Sequence, residues 1–428
     1  MAYGGAMSSH SAVKNADLII GVNNDLTPFN IDLKALTRGL VVIGQSGCGK
    51  SYLIGRLVEE IIRNTKDKSQ LLIIDPNSDF GYGLELKTKK SFTNLVSKYK
   101  TGLLKKEYKS FKAKEELLMS EMKIMKEFQK TRVFGKSIPF NLSWKWLFEN
   151  INNYLKIIKA NDFSNDYFWA LHFLARSFIG KNPYDPNEWF SAAQELIDLK
   201  DGKEVKLKYI TDKYVDNIRA HVENKSILEI IYDLRVEAET SMIWNTDQAE
   251  KTIQERLFNS HRIEILDIES VIKRKEKLML VIYVLENCLL RNKKLVEDYI
   301  NLKDSREPQK RIKAKRRLRH TFILIDEAHN LAPDDTNDPH EKVLGELIHT
   351  IAAEGRKYGL HLILATQRPN KVKRGLLGEC DNAIIMKMNS RSDLEHLSQE
   401  MRILDVKLLE PCLHFQGRGN AQIGRAHV

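Results

Sequence analysis

Leu40-Val41-Val42-Ile43-Gly44-Gln45-Ser46-Gly47-Cys48-Gly49-Lys50-Ser51 decides how the rest of the chain is read. Four apolar residues predict a short buried strand. Gly44–Ser51 then matches GxxxxGK[ST]. Behind it, Leu53, Ile54, Leu57, Ile61 and Ile62 recur at helical spacing, so Ser51–Arg63 is expected to form an amphipathic helix. A strand, a glycine loop and a helix are the setting in which this motif binds phosphate. The glycines let backbone N–H groups curl around an anion without Cβ clashes. The helix N-terminus adds partial positive charge. Lys50 reaches β- and γ-phosphates in such a loop, and the Ser51 hydroxyl ligates Mg²⁺. Gly44, Gln45, Ser46, Gly47, Cys48, Gly49, Lys50, Ser51 and the adjoining Tyr52 are therefore expected to hold ATP. Cys48 admits two readings, a small filler or a thiol activated by the helix terminus.

Outward from the loop, Leu71–Ile74 is a second apolar run. A strand, a helix and a strand with short connections imply a parallel sheet. The rhythm stops near Gly81, and residues to about Arg262 read mostly as helices. All five tryptophans (Trp144, Trp146, Trp169, Trp189, Trp244) fall in that stretch and suggest its own aromatic core. The α/β pattern then resumes. Ile263–Ile268, Thr321–Ile325 and His361–Ala365 read as strands, and Lys273–Arg291 and Glu341–Ala353 as helices.

Phe322-Ile323-Leu324-Ile325-Asp326-Glu327 carries two carboxylates behind a buried strand. In a parallel sheet that places them at the carboxyl edge, beside the phosphate loop. Asp326 is expected in the Mg²⁺ shell, and Glu327 as the general base for water. Leu72-Ile73-Ile74-Asp75-Pro76-Asn77 ends similarly, but lies too close to the first helix to be the main metal strand. Asp75 either touches nucleotide, metal or a neighbouring subunit, or caps a turn. His361–Ala365 runs into Thr366-Gln367-Arg368-Pro369, where Gln367 is placed to sense the γ-phosphate or orient water. These motifs divide the chain into an arm (1–16), a first ATPase part (17–80), a helical insertion (81–262) and a second ATPase part (263–428), with a basic linker at 306–319.

Composition sets the outer limits. In 428 residues with 42% hydrophobic content there is enough apolar material for a core, which excludes wholesale disorder. The longest apolar run, Leu278–Leu285, falls far short of the roughly 20 residues of a spanning helix, so no membrane partner is expected. Four cysteines without a CxxC pair disfavour a disulfide framework or zinc site and fit a reducing, cytoplasmic location. The net charge of +11 permits an acidic partner. Arg306–Arg319 concentrates it, with eight Lys/Arg against one Glu. That run is either a solvated loop or a contact for the phosphates of nucleic acid.

Taken together, the chain resembles the HerA–FtsK superfamily of P-loop motors, and HerA-type ATPases within it. The residues that carry the likeness are Gly44–Ser51, Asp75-Pro76 with Asp79, Asp326-Glu327-Ala328-His329-Asn330, Glu354-Gly355-Arg356-Lys357-Tyr358-Gly359 and Ala365-Thr366-Gln367-Arg368-Pro369. The resemblance implies a RecA-like α/β fold, a mostly parallel sheet flanked by helices and here interrupted by the large insertion. It implies a homo-hexameric ring with ATP between subunits, acting on double-stranded DNA as a translocase or helicase. It also implies that Arg356 reaches a neighbour's ATP as an arginine finger, with Arg368 and Arg391 as competitors. A nuclease or anti-phage defence effector is the implied protein partner. If such an effector carries the chemistry, the ring would serve as a regulatory scaffold.

Overall fold

The computed structural model describes residues 17–23, 28–65, 69–80, 132–135, 138–143, 186–208, 243–245, 253–257, 263–303, 306–401, 405–416 and 419–425, with isolated positions between 228 and 236. The arm 1–16, most of the insertion and Trp144, Trp146 and Trp169 lie outside the described residues.

Twelve strands are described: β1 (Asp17–Val22), β2 (Pro28–Asp32), β3 (Leu40–Ile43), β4 (Ser69–Asp75), β5 (Arg132–Phe134), β6 (Leu142–Ser143), β7 (Trp244–Asn245), β8 (Ile263–Asp267), β9 (His320–Ile325), β10 (Leu360–Thr366), β11 (Asn382–Met386) and β12 (Ala421–Arg425). Eight of them form one sheet in the order β12-β11-β3-β10-β9-β4-β8-β5. Every pairing in it is parallel except β11 with the edge strand β12. The fold is α/β and RecA-like. The main helices are α1 (Lys50–Thr65), α2 (Pro186–Lys200), α3 (Arg274–Leu302), α4 (Pro308–Arg317), α5 (Pro339–Glu354) and α6 (Arg391–Glu400).

The continuous apolar runs follow from burial on both faces. Along β3, Leu40 and Val42 pack with Ile54, Leu57 and Ile61 of α1. Val41 and Ile43 face the opposite layer, with Leu280 and Val284 of α3 and Leu344 and Ile348 of α5. Alternation of side chains along a strand sends each half of the run to its own core. Helix α1 also carries a buried charge network. Arg56 donates to Glu59 at 2.9 Å, to Glu60 at 2.6 Å and to the Ile19 carbonyl at 3.0 Å, while Ile19 N–H donates to Glu60. These bonds fasten the β1–β2 hairpin to the helix.

Among the segments that differ from expectation, two bear most on the fold. Residues 132–134, inside the stretch read as helical, join the main sheet as β5, where Arg132 pairs with the buried Glu264 of β8. Three residues are too few to show a period. The basic run 306–319 is largely helix α4, docked on α3 through Ala314. A run without apolar periodicity hides that helix, whose buried side chains are Ala314 and, at its C-cap, Leu318, packed with Val296 of α3.

Candidate active site

The carboxyl ends of β3, β4, β9 and β10 gather the motifs at one sheet edge. Gly47 and Gly49 adopt left-handed backbone, φ 75° and 106°, which lets the loop curl. Gly44 is required by space, since a Cβ there would meet Cys48 Sγ at 2.6 Å and Met386 Cβ at 2.8 Å. The Gly44 N–H donates to the Thr366 carbonyl at 3.3 Å, and the Gln45 N–H to the Lys387 carbonyl at 2.9 Å, so the loop hangs between β10 and β11. Cys48 is the filler. Burial raises its thiol pKa against the lowering effect of Lys50, and Sγ lies 3.8 Å from Met386 Sδ. Tyr52 packs against the apolar layer under α1.

Lys50 Nζ lies 2.9 Å from Asp326 Oδ1 and 2.7 Å from Glu327 Oε1, and all three side chains are buried. Burial alone would lower the Lys50 pKa, but the two carboxylates outweigh it and raise the value, so the amine stays charged. Glu327 sits at φ 45°, ψ 51°, a left-handed conformation that costs a non-glycine residue energy and marks functional sites. The neighbouring turn is braced by Arg274, which pairs with Glu341 of α5 and donates to the Asn330 carbonyl at 3.1 Å.

Asp326 Oδ2 is buried without a hydrogen bond among the described residues. Ser51 Oγ lies 3.4 Å from Asp79 Oδ2. These are hard oxygen donors of the kind Mg²⁺ takes. No group of three or more His, Cys, Asp or Glu suited to a metal occurs among the described residues. Mg²⁺ needs no such cage, because it keeps waters and binds substrate phosphates beside one or two protein ligands.

Asp75 is fully occupied with the turn. Its carboxylate accepts from the N–H groups of Asn77 (3.2 Å), Asp79 (3.1 Å) and Phe80 (2.7 Å). Gln367 is half-buried, directly after the residue whose carbonyl holds Gly44. Arg356 stands apart. It is exposed in the turn Gly355–Tyr358 before β10, at the amino edge of the sheet, beside Arg38, Glu379 and Asp381. Of its competitors, Arg368 follows Gln367 at the site itself. Arg391 is engaged with Glu395 at 3.6 Å and Glu410 at 3.4 Å.

Sequence reasoning left His329 without a role. Its Nδ1 lies 3.3 Å from Glu327 Oε2 and 3.0 Å from Thr366 Oγ1. The signal was present in Asp326-Glu327-Ala328-His329, but the partner on β10 is visible only in three dimensions.

The sequence family described as "Helicase HerA, central domain" matches residues 18–288, and "ATPase family associated with various cellular activities (AAA)" matches 284–388. The DNA double-strand break repair helicase HerA of Sulfurisphaera tokodaii is 33% identical over 105 residues, 24% of this chain and 20% of that protein. A probable helicase of Methanocaldococcus jannaschii is 22% identical over 399 residues, 90% of this chain and 63% of that protein. The chain thus spans less than two thirds of either curated relative. The structure of VirB4 of Thermoanaerobacter pseudethanolicus superposes with a TM-score of 0.50 at 12% identity, covering 97% of this chain and 96% of that one, which is a likeness of fold.

Proposed function

The chain belongs to the HerA helicase central-domain family, and from that premise we propose that it hydrolyses ATP to drive movement on double-stranded DNA. The observation that carries the proposal is the buried triad of Lys50, Asp326 and Glu327 at the mouth of the glycine loop. Lys50 is a charged donor that exchanges its carboxylate partners for the β- and γ-phosphates. Glu327 Oε1, released from Lys50, takes the proton of the water that attacks the γ-phosphorus as the bond to the β–γ bridging oxygen breaks. Ser51 and Asp326 would hold Mg²⁺, which when bound neutralises charge developing on the phosphates. Gln367 borders this space and orients the attacking water.

The placement of Arg356 supports a ring assembly. It lies at the sheet edge opposite its own phosphate loop, so a role for it in hydrolysis needs a neighbouring subunit, and we take the assembly to be a homo-hexamer. Helix α4 supplies a contact for DNA phosphates. A nuclease or defence effector would be recognised as a co-purifying chain. ATPase assays of Glu327→Gln with and without DNA test the base: loss of about 10²–10⁴ in rate is expected from removing general base catalysis, and parental turnover overturns the assignment.

A further inference from the structure

We propose that His329 is the positioning residue for the Glu327 carboxylate, tying it to Thr366 at the end of β10. The inference rests on Glu327 as the base. Three observations converge on it. First, the two Glu327 oxygens have different neighbours: Oε1 faces Lys50 at 2.7 Å and Oε2 faces His329 Nδ1 at 3.3 Å. When Lys50 engages phosphate, the contact to His329 is the one that remains. Second, Glu327 begins the turn Ala328–His329–Asn330 from a left-handed backbone. That geometry folds the His329 ring back onto the carboxylate two residues earlier. Third, Thr366 Oγ1 lies 3.0 Å from the same Nδ1 and accepts the Arg368 N–H at 3.1 Å. Thr366 is also the residue whose carbonyl holds Gly44.

The tautomer follows from the partners. Burial, with Arg368, Lys50 and Lys371 nearby, brings the His329 pKa down to about 4, so the ring is neutral at pH 7. A bare Nδ1 would set its lone pair against a carboxylate oxygen. With the proton on Nδ1, the N–H bonds Thr366 Oγ1, and Glu327 Oε2, 3.3 Å away and without a hydrogen bond among the described residues, is in place to accept it once Lys50 turns to phosphate. The imidazole is then a short strut between the base and the strand end that carries Gln367. It acts through Glu327.

Steady-state ATPase kinetics of His329→Ala, His329→Asn, Thr366→Val and Glu327→Gln, with the His329→Ala/Glu327→Gln double variant, test this. A mispositioned base forfeits part of the 10²–10⁴ that general base catalysis supplies, so His329→Ala should lose about 10- to 100-fold in kcat with KM for ATP unchanged. Asn places an amide N–H near the Nδ1 position and should restore most of kcat. Thr366→Val should fall between Ala and the parent. In the Glu327→Gln background, His329→Ala should cost nothing further, which a merely structural role would not give. Equal loss in Ala and Asn, a loss seen in KM alone, or full additivity in the double variant overturns the inference. An inactive Glu327→Gln beside a fully active His329→Ala removes His329 and leaves the base. A fully active Glu327→Gln removes both.

Discussion

At the residue scale, the triad has an electrostatic imbalance with a measurable consequence. One buried cation faces two buried carboxylates. Replacing Glu327 by Gln removes the excess negative charge and leaves Lys50 paired with Asp326, while the amide keeps the shape. Replacing Lys50 by Ala leaves two carboxylates buried without a cation. Breaking a buried pair from one side costs about 3–5 kcal/mol, because a charge stays desolvated and uncompensated. Both variants should therefore lose ATPase activity and part company in stability. Denaturant unfolding should show Glu327→Gln at least as stable as the parent and Lys50→Ala weaker by about 3 kcal/mol. A Glu327→Gln variant that is the weaker of the two would mean the second carboxylate stabilises the empty loop.

At the element scale, the strands that carry the site were the legible ones, while the equally buried β11 went unread. The strands β3, β4, β9 and β10 were readable because strands buried on both faces are unbroken apolar runs, as in Phe322–Ile325 and Leu362–Ala365. The three-residue β5 carries too little pattern to read, and the edge strand β12 mixes polar and apolar residues as Ala-Gln-Ile-Gly-Arg. Asp75 kept two readings in the sequence because a strand-terminal carboxylate has the same sequence whether it faces a ligand or the three backbone amides it caps here. Helix α4 was invisible for the opposite reason, since its charges outnumber Ala314 and the C-cap Leu318 that seat it. Every side chain of α4 except Ala314 is exposed. Glu307, just before it, meets Lys310 at 2.7 Å in a surface pair of little energetic worth, and Asp298 of α3 lines a cavity with Lys310, Lys313 and Arg317. On α3, burial lowers the Arg291 pKa against the raising effect of Cys288 and Glu264, and the nearby Arg319 and Arg317 add to the lowering. Replacing Lys313, Lys315, Arg316 and Arg317 by Gln keeps helix propensity and removes that charge. The slope of log K against log salt for DNA binding should then shrink by about 0.9 for each phosphate that α4 no longer neutralises. DNA-free ATPase activity should stay at the parental level. An unchanged slope takes α4 off the DNA path.

At the scale of the whole molecule, β10 sets the distance between Arg356 and the phosphate loop of the same chain. Its seven residues separate Arg356, before its first residue, from Thr366 at the phosphate-loop end. At about 3.3 Å per residue that is roughly 20 Å, beyond the reach of a single side chain. Arg356 thus cannot reach its own subunit's phosphate loop, and in the proposed ring it would serve a neighbour's site, in the head-to-tail arrangement that closes. Complementation by mixing follows. Glu327→Gln subunits keep Arg356 but cannot activate water. Arg356→Ala subunits keep the base but present no finger, and loss of such an arginine costs about 10³–10⁵ in rate. Each variant alone should be nearly inactive. Mixed in equal amounts and reassembled, about one quarter of the head-to-tail interfaces join an intact base to an intact finger. ATPase activity should therefore return towards about a quarter of the parental value if sites fire independently, and to less if they fire in sequence. A mixture as inactive as its components would place the finger within the same subunit. An Arg356→Ala variant that is active by itself would hand the role to Arg368, which already stands beside Gln367 at its own subunit's site.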